Sequence, residues 1–353
     1  MIIVLKGDTP DAQIDDIREL VEARGLRVHL IRGEHRLVLG CIGDVTALAD
    51  LALTELPGVD SVVRIGKPYR LAAREFAAGP TVIRLGDGPR AVVGGPEIAI
   101  IAGPCSVEGE AMLRETAWGV RRAGAGMLRG GAFKPRTSPY SFQGLGAAAL
   151  ELLANVRRET GLPVVTEVLD TRHVDAVAEH ADVLQIGARN MQNYALLGEV
   201  GRVRRPVLLK RGLSASLTEL LLAAEHVMAQ GNTEVMLCER GIRTFEDMTR
   251  FTLDVGAIPV LHRETHLPVI VDPSHPAGRA DLVAPLAFAA VAAGADGLLI
   301  EVHPRPREAR SDGEQSLSLD AFATLMEDLN AFAVAAGRTL AGAPPRGAEN
   351  SAA

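Results

Sequence analysis

Apolar and polar positions follow two different patterns along the chain. Up to about residue 66 the runs are short and mixed. The apolar run at 2–5 predicts a strand. Residues 11–24 place Ile14, Ile17, Leu20 and Val21 at helical spacing, and Gly25 closes the helix. Residues 27–31 and 36–41 predict two strands around Gly33-Glu34, 45–56 a second helix stopped by Pro57-Gly58, and 59–65 a last strand. The order β-α-β-β-α-β is that of a ferredoxin-like α+β domain, over residues 1–66, and by itself says nothing of function. Residues 67–78 read as a linker or connecting helix. Residues 81–93 alternate as a hairpin around Gly86-Asp87-Gly88-Pro89, so that 67–96 leads, as linker and hairpin, into the base of a second domain.

From residue 97 short apolar runs alternate with helical stretches. The runs are 98–102, 127–133, 164–168, 183–186, 207–210, 235–239, 269–271 and 298–302. The helices among them include 108–123, 145–159, 214–230, 280–293 and 319–335. Such strand-then-helix units fit an α/β fold, a (β/α)8 TIM barrel over 97–337, which takes about 250 residues. A doubly wound sheet is the alternative, but no Gly-x-Gly-x-x-Gly turn follows the first strand. Residues 338–353, rich in Ala, Gly and Pro, read as a disordered tail.

Composition narrows the function. Lys+Arg is 37 against Asp+Glu 44, a net charge of −7, and aromatics are 3%. That balance argues against nucleic acid as a partner. Three cysteines suit a reducing cytoplasm rather than a disulfide framework. The longest apolar stretch, 282–295, contains Pro285 and falls short of the roughly 20 residues of a membrane span. A cytoplasmic protein with no membrane association is expected.

In a barrel the reactive groups come from the C-terminal ends of the strands. Here those ends carry Cys105, Arg129 with Lys134, Glu167, Arg189, Lys210, Glu239-Arg240, Asp272 with His275, and Glu301 with His303. Charges that merely mark where a strand leaves the core would explain a few of these. They explain poorly why Arg129, Lys134, Arg136, Arg189, Lys210 and Arg240 would ring one cleft in a net acidic protein. Such cations need anions, and a ligand with more than one anionic group, such as a phosphorylated acid or two phosphorylated substrates, suits them. Cys105, His275, Glu301 and Asp312 offer one thiolate, one imidazole and two carboxylates. Any one of them alone reads as structural; together they suit one divalent transition metal, Mn, Fe, Co or Zn. His303 reads as a further ligand, a proton-transfer group or, first, a residue orienting a ligand.

The segments IAGPCSVE (101–108), GGAFKPRTSPYSFQG (130–144), LQIGARNMQN (184–193), LLKRG (208–212), LCERGIRTFE (237–246), VDPSHP (271–276) and IEVHPRP (300–306) resemble those of the 3-deoxy-D-arabino-heptulosonate 7-phosphate synthases. The likeness runs over roughly residues 67–336. The front unit matches the subgroup with a ferredoxin-like domain, and no fused chorismate mutase is seen. The related 3-deoxy-D-manno-octulosonate 8-phosphate synthases share the barrel but carry an Asn-Arg-Ser type segment where this chain has KPRT.

The resemblance implies that phosphoenolpyruvate condenses with erythrose 4-phosphate. It implies Cys105, His275, Glu301 and Asp312 as metal ligands. Arg129, Lys134, Arg189, Lys210 and Arg240 would hold phosphoenolpyruvate, its phosphate chiefly on the last three. Lys134, Pro135, Arg136 and Thr137 would clamp erythrose 4-phosphate, with Arg136 and Thr137 on its phosphate. Glu167 would lie near the attacking water, and Lys134, Glu167 and His303 are the candidate catalytic groups. One departure is Phe133, where Tyr is familiar. The subgroup also implies a homo-oligomer, dimer or tetramer, and regulation through residues 1–66 by an aromatic amino acid, Tyr or Phe. An octulosonate synthase using arabinose 5-phosphate, or a non-catalytic phosphate-binding barrel, are the alternatives.

Overall fold

A computed structural model describes residues 1–32, 37–63, 66–86, 88, 90–136 and 138–341. The chain forms two compact units, Met1–Pro68 and Tyr69–Ala353. In the first, strands β1 (Ile2–Leu5), β2 (Arg27–Arg32), β3 (Leu37–Ile42) and β4 (Val59–Val63) make one antiparallel sheet in the order β2-β3-β1-β4. The helix Asp11–Glu22 packs Ile14, Ile17 and Val21 onto it, against Ile3, Leu5 and Leu39. This is the expected ferredoxin-like arrangement with one correction. Residues 45–56 do not form a continuous helix but two 3-10 turns, Val45–Leu48 and Leu53–Glu55. The Ala47 carbonyl, which an α-helix would offer to the amide of Leu51, accepts instead from the Arg24 guanidinium at 2.9 Å, while the Leu51 amide turns to Leu48 O. The Gly33-Glu34 turn lies outside the described residues.

In the second unit the expected linker 67–78 contains only a 3-10 turn at Arg74–Phe76. Strands β5 (Ile83–Arg84) and β6 (Val92–Val93) form the expected hairpin. Eight parallel strands then close a barrel: β7 (Ala99–Gly103), β8 (Met127–Arg129), β9 (Val164–Glu167), β10 (Val183–Ile186), β11 (Val207–Lys210), β12 (Val235–Glu239), β13 (Val269–Val271) and β14 (Gly297–Glu301). Every second residue of each strand points inward. Ile101, Met127, Val165, Leu208, Met236, Ile270 and Leu299 therefore fill the lumen, and Ile83, Leu85 and Val93 of the hairpin join that cluster. Outward-facing residues such as Ile100, Leu128 and Leu209 meet the helices in a second, larger core.

The predicted helices appear, with 280–293 split into a 3-10 turn and the helix Val283–Ala292. Three further helices, Val174–His180, Tyr194–Arg202 and Ala257–Glu264, complete the outer ring. The expected disordered tail is corrected at its start. Ile98 N donates to Thr339 O, Ala341 N donates to Ile98 O, and Leu340 is buried. Residues 342–353 lie outside the described residues. Among the described residues no helix is long and apolar enough to cross a membrane.

Candidate active site

The strand ends of the barrel converge on one cleft of about 320 Å³. Its lining includes Arg129, Lys134, Pro135, Arg136, Glu167, Arg189, Lys210, Arg240, His275 and Asp312. A larger hollow of about 780 Å³ opens beside the hairpin, around Leu85, Gly126 and Leu162, and shares none of these lining residues.

On one side of the cleft lie the metal-type donors. The Cys105 thiol, a Glu301 oxygen and an Asp312 oxygen all lie within 4.8 Å of one another. His275 Nε2 is 3.7 Å from Glu301 Oε1. The Cys105 thiol donates to Asp312 Oδ2 at 2.8 Å. Burial, with Glu301 nearby, pushes that thiol up to about 12, so it becomes a thiolate only against a strong positive charge. A cation already faces it. The Lys134 ammonium bonds to Cys105 Sγ and stands 3.0 Å from Asp312 Oδ2. Burial lowers the His275 imidazole to about 4, against the pull of Asp272 and Glu301, which leaves a neutral ring with a lone pair to offer. The donor set of thiol, imidazole and two carboxylates therefore fits a divalent transition ion.

Glu301, Asp312 and His275 are each held from behind. Arg129 Nη1 donates to Glu301 Oε1 at 2.8 Å and Gln315 Nε2 to Glu301 Oε2 at 2.6 Å. Arg250 Nη1 donates to Asp312 Oδ1 at 3.0 Å and to Gln315 Oε1 at 2.7 Å. Asp312 adopts φ 51°, alone among the described non-glycine residues in the left-handed region, a conformation an Asp tolerates but which costs free energy. Asp272 is the hub between the two sides of the cleft. Its Oδ2 lies 2.6 Å from His275 Nδ1 and accepts from Lys210 Nζ at 2.6 Å, while Oδ1 accepts the His275 amide at 3.0 Å. Despite burial, His275 and Lys210 hold Asp272 well below the usual carboxylate range.

The other side of the cleft is cationic. Arg240 is buried, lies 4.4 Å from the Phe251 ring centroid, and has no carboxylate at ion-pair distance among the described residues. Burial lowers its pKa, as expected of a desolvated cation awaiting an anion. Arg189 is exposed and Arg136 half-buried at the mouth. Glu167 lies between, with Gln185 Nε2 at 3.5 Å from Oε2. Burial raises the Glu167 carboxyl against the cations Lys134, Lys210, Arg129 and Arg189, a setting suited to taking and returning a proton. Gly187 makes room for it: a Cβ there would fall 2.0 Å from Glu167 Oε1.

Two of the sequence candidates stand apart. Thr137 lies outside the described residues. His303 does not line the cleft; its Nδ1 accepts the Arg305 amide at 3.0 Å, and its Nε2 is 3.6 Å from Glu108 Oε2. Phe133 does not meet the cleft either; its ring stacks on His173 with centroids 4.6 Å apart. Sequence reading missed Arg250, Gln315 and Gln185 and gave Asp272 no role. Asp272, inside VDPSHP, and Gln185, inside LQIGARNMQN, carried a signal; Arg250 and Gln315 did not.

Residues 81–335 match the DAHP synthetase I family and residues 1–67 the DAHP synthase ferredoxin-like domain. A phospho-2-dehydro-3-deoxyheptonate aldolase of Thermotoga maritima is 50% identical over 337 residues, 96% of this chain and 99% of that one. A crystal structure of the Thermotoga maritima DAHP synthase superposes with a TM-score of 0.89 at 48% identity, covering 96% of this chain and 98% of that one. A 2-dehydro-3-deoxyphosphooctonate aldolase of Acidithiobacillus ferrooxidans is 36% identical over 65% of this chain and 86% of its own.

Proposed function

The chain belongs to the DAHP synthetase I family, with that family's ferredoxin-like domain in front, and from this premise we propose how its barrel mouth performs the reaction. The reaction condenses phosphoenolpyruvate, erythrose 4-phosphate and water to 3-deoxy-D-arabino-heptulosonate 7-phosphate and inorganic phosphate. It is a transferase step that opens the shikimate pathway to the aromatic amino acids.

The observation that carries the assignment of roles is the division of the cleft into a donor cluster and a cation ring around one raised carboxyl. Arg189, Lys210 and Arg240 take the phosphate of phosphoenolpyruvate, and Arg129 and Lys134 its carboxylate side. Pro135 and Arg136, with Thr137, clamp erythrose 4-phosphate, and Arg136 takes its phosphate. This arrangement brings C3 of the enol phosphate up to the aldehyde carbon, where orientation alone supplies several kcal/mol. C3 bonds to that carbon as the C2–C3 double bond opens, and the aldehyde oxygen takes a proton from the Lys134 ammonium, which the proton then gained by Glu167 restores. Water adds at C2, where positive charge develops, and Glu167 accepts its proton. The C2 hemiketal phosphate then expels inorganic phosphate by C–O cleavage, leaving the C2 ketone. His303 acts at a distance, its Nδ1 accepting the Arg305 amide and so steadying the loop that follows β14.

Cys105, His275, Glu301 and Asp312 would hold one divalent ion, Mn, Fe, Co or Zn. When bound, such an ion supplies Lewis-acid polarisation and alignment of the aldehyde. The KPRTSP segment favours the four-carbon aldehyde. The test is phosphate release from phosphoenolpyruvate with erythrose 4-phosphate or arabinose 5-phosphate; release with the second alone would return the chain to the octulosonate reaction. The enzyme works in the cytoplasm as a homo-oligomer, dimer or tetramer, and residues 1–66 bind an aromatic amino acid effector, Tyr or Phe. Assay with and without each amino acid, and of a chain beginning at Lys67, tests that role.

A further inference from the structure

The ends of β11 and β12 carry two adjacent pairs, Lys210-Arg211 and Glu239-Arg240. Lys210 pairs with Cys238 in the parallel ladder. Side chains alternate along a strand, so Lys210, Cys238 and Arg240 share one face, and Arg211 and Glu239 take the other. Cys238 belongs to the lumen cluster and Lys210 and Arg240 line the cleft, whereas Arg211, Glu239 and Asp254 do not.

Behind the cleft these last three form a closed unit. Arg211 Nη1 donates to Glu239 Oε2 and to Asp254 Oδ2, both at 2.8 Å, and its Nε to Ala215 O at 2.8 Å. The second oxygen of Glu239 accepts the Gly241 amide at 2.8 Å, so the backbone on both sides of Arg240 is fastened to one carboxylate. Gly241 has φ 88°, and a Cβ there would lie 2.8 Å from Pro276 Cβ, which makes this turn glycine-only. Asp254 Oδ1 accepts the Ala257 amide at 3.1 Å, tying the unit to the start of the helix Ala257–Glu264. The same loop supplies Phe251, the platform under Arg240. Both carboxylates of the unit are thus engaged by Arg211, and Arg240 keeps no anion of its own.

We propose that Arg211, Glu239 and Asp254 form a positioning device that presents Lys210 and Arg240 to the phosphate of phosphoenolpyruvate. This rests on the assignment of that phosphate to Lys210 and Arg240. An ion triad that served stability alone, with Arg211 and Glu239 buried and Asp254 partly exposed, would need no link to the backbone around Arg240 and no shared loop with its ring platform.

The test uses the full-length enzyme and three variants. Arg211→Lys keeps the charge but loses the fork that reaches three acceptors at once. Asp254→Asn keeps the shape and the Oδ1 acceptor for Ala257 while removing the charge. Arg240→Lys reports on the phosphate site itself. Both triad variants should raise the KM for phosphoenolpyruvate roughly tenfold, the order expected from a displacement of under an ångström, with KM for erythrose 4-phosphate unchanged and kcat nearly so. If Arg240→Lys raises that KM but neither triad variant does, or if both substrates shift together in step with a fall in melting temperature, the triad is structural and the proposal is overturned. An unchanged KM in Arg240→Lys would instead overturn the phosphate assignment, and the proposal with it. Should Arg211→Lys fail to fold, Asp254→Asn alone decides.

Discussion

Replacing Glu301 by Gln sets two effects against each other in the metal-free protein. The Glu301 and Asp312 carboxylates lie within 4.8 Å of one another beside the neutral Cys105 thiol, so removing one charge relieves repulsion. Against this, Glu301 is fully buried and receives Arg129 Nη1 at 2.8 Å and Gln315 Nε2 at 2.6 Å. Asp312 has its own cations, Lys134 and Arg250, each at 3.0 Å. Each carboxylate is therefore closer to a cation than the acids need be to one another, and the attraction wins. His275 and Arg129 hold the Glu301 carboxyl below its ordinary range even though burial pushes it up, which points the same way. In Glu301→Gln the buried Arg129 loses its partner, and an amide N–H group faces either Arg129 or Gln315. Breaking a buried pair by removing one member costs about 3–5 kcal/mol. At roughly 2–3 °C per kcal/mol for a large domain, the melting temperature should fall by roughly 6–15 °C. The assay is thermal unfolding of both proteins after chelation and desalting, followed by metal content after reconstitution. A metal-free variant that melts at or above the parent would refute the reasoning and show a cluster dominated by acid–acid repulsion.

Chelation should abolish activity and a divalent ion restore it, and Cys105→Ser should lose bound metal and activity while keeping its melting behaviour; full activity in metal-free protein would end the metal assignment. Arg136→Ala should raise KM for erythrose 4-phosphate and Arg189→Ala that for phosphoenolpyruvate, each by roughly 10- to 150-fold for a lost contact of about 1.5–3 kcal/mol, and equal shifts in both substrates would undo the division of the cleft. Gly187→Ala puts a Cβ 2.0 Å from Glu167 Oε1, so the carboxyl must swing aside and kcat should fall at least about tenfold with little change in either KM; unchanged kcat would remove Glu167 from the proton path.

The barrel was legible because its strands are buried on both faces. Four runs, 183–186, 207–210, 235–239 and 269–271, coincide with β10 to β13 because each is mostly apolar and its polar members, Gln185, Lys210 and Glu239, fall at or near the strand end. The run 127–133 overshot: β8 ends at Arg129, and the chain turns at Gly130-Gly131, so Phe133 packs on His173 outside the lumen. The helices at 174–180, 194–202 and 257–264 are too short for their periodicity to stand out, although Asn193 caps one of them through Leu196 N. The 45–56 segment had helical spacing, but a side chain from another element, Arg24, took the carbonyl its helix needed. Within the site, the residues that meet the cleft sit at strand ends and could be found. Those that steady them could not: Arg250 lies on a loop and Gln315 in a 3-10 turn, and their partners are 62 and 14 residues away in sequence.

Pairing explains why the same residue types serve different ends around one mouth. Arg129, Lys134, Lys210, Arg211 and Arg250 each have an acid within 3.0 Å, so their charges are balanced before any ligand arrives. Arg240 is buried without one, and among the described residues neither Arg136 nor Arg189 has an ion-pair partner. A dianionic phosphate entering the cleft gains most from cations that need not give up an existing acid, because a paired cation must first exchange one anion for another. In the proposed division of the cleft, Arg189 and Arg240 would thus add most to the phosphoenolpyruvate phosphate that Lys210 also meets, and Arg136 to the second phosphate. Lys134 is the intermediate case. It is bonded to Cys105 and Asp312, two of the four metal donors, and it opens the KPRT segment. A divalent ion held by those donors would compete with its ammonium for the Cys105 sulfur and the Asp312 carboxylate.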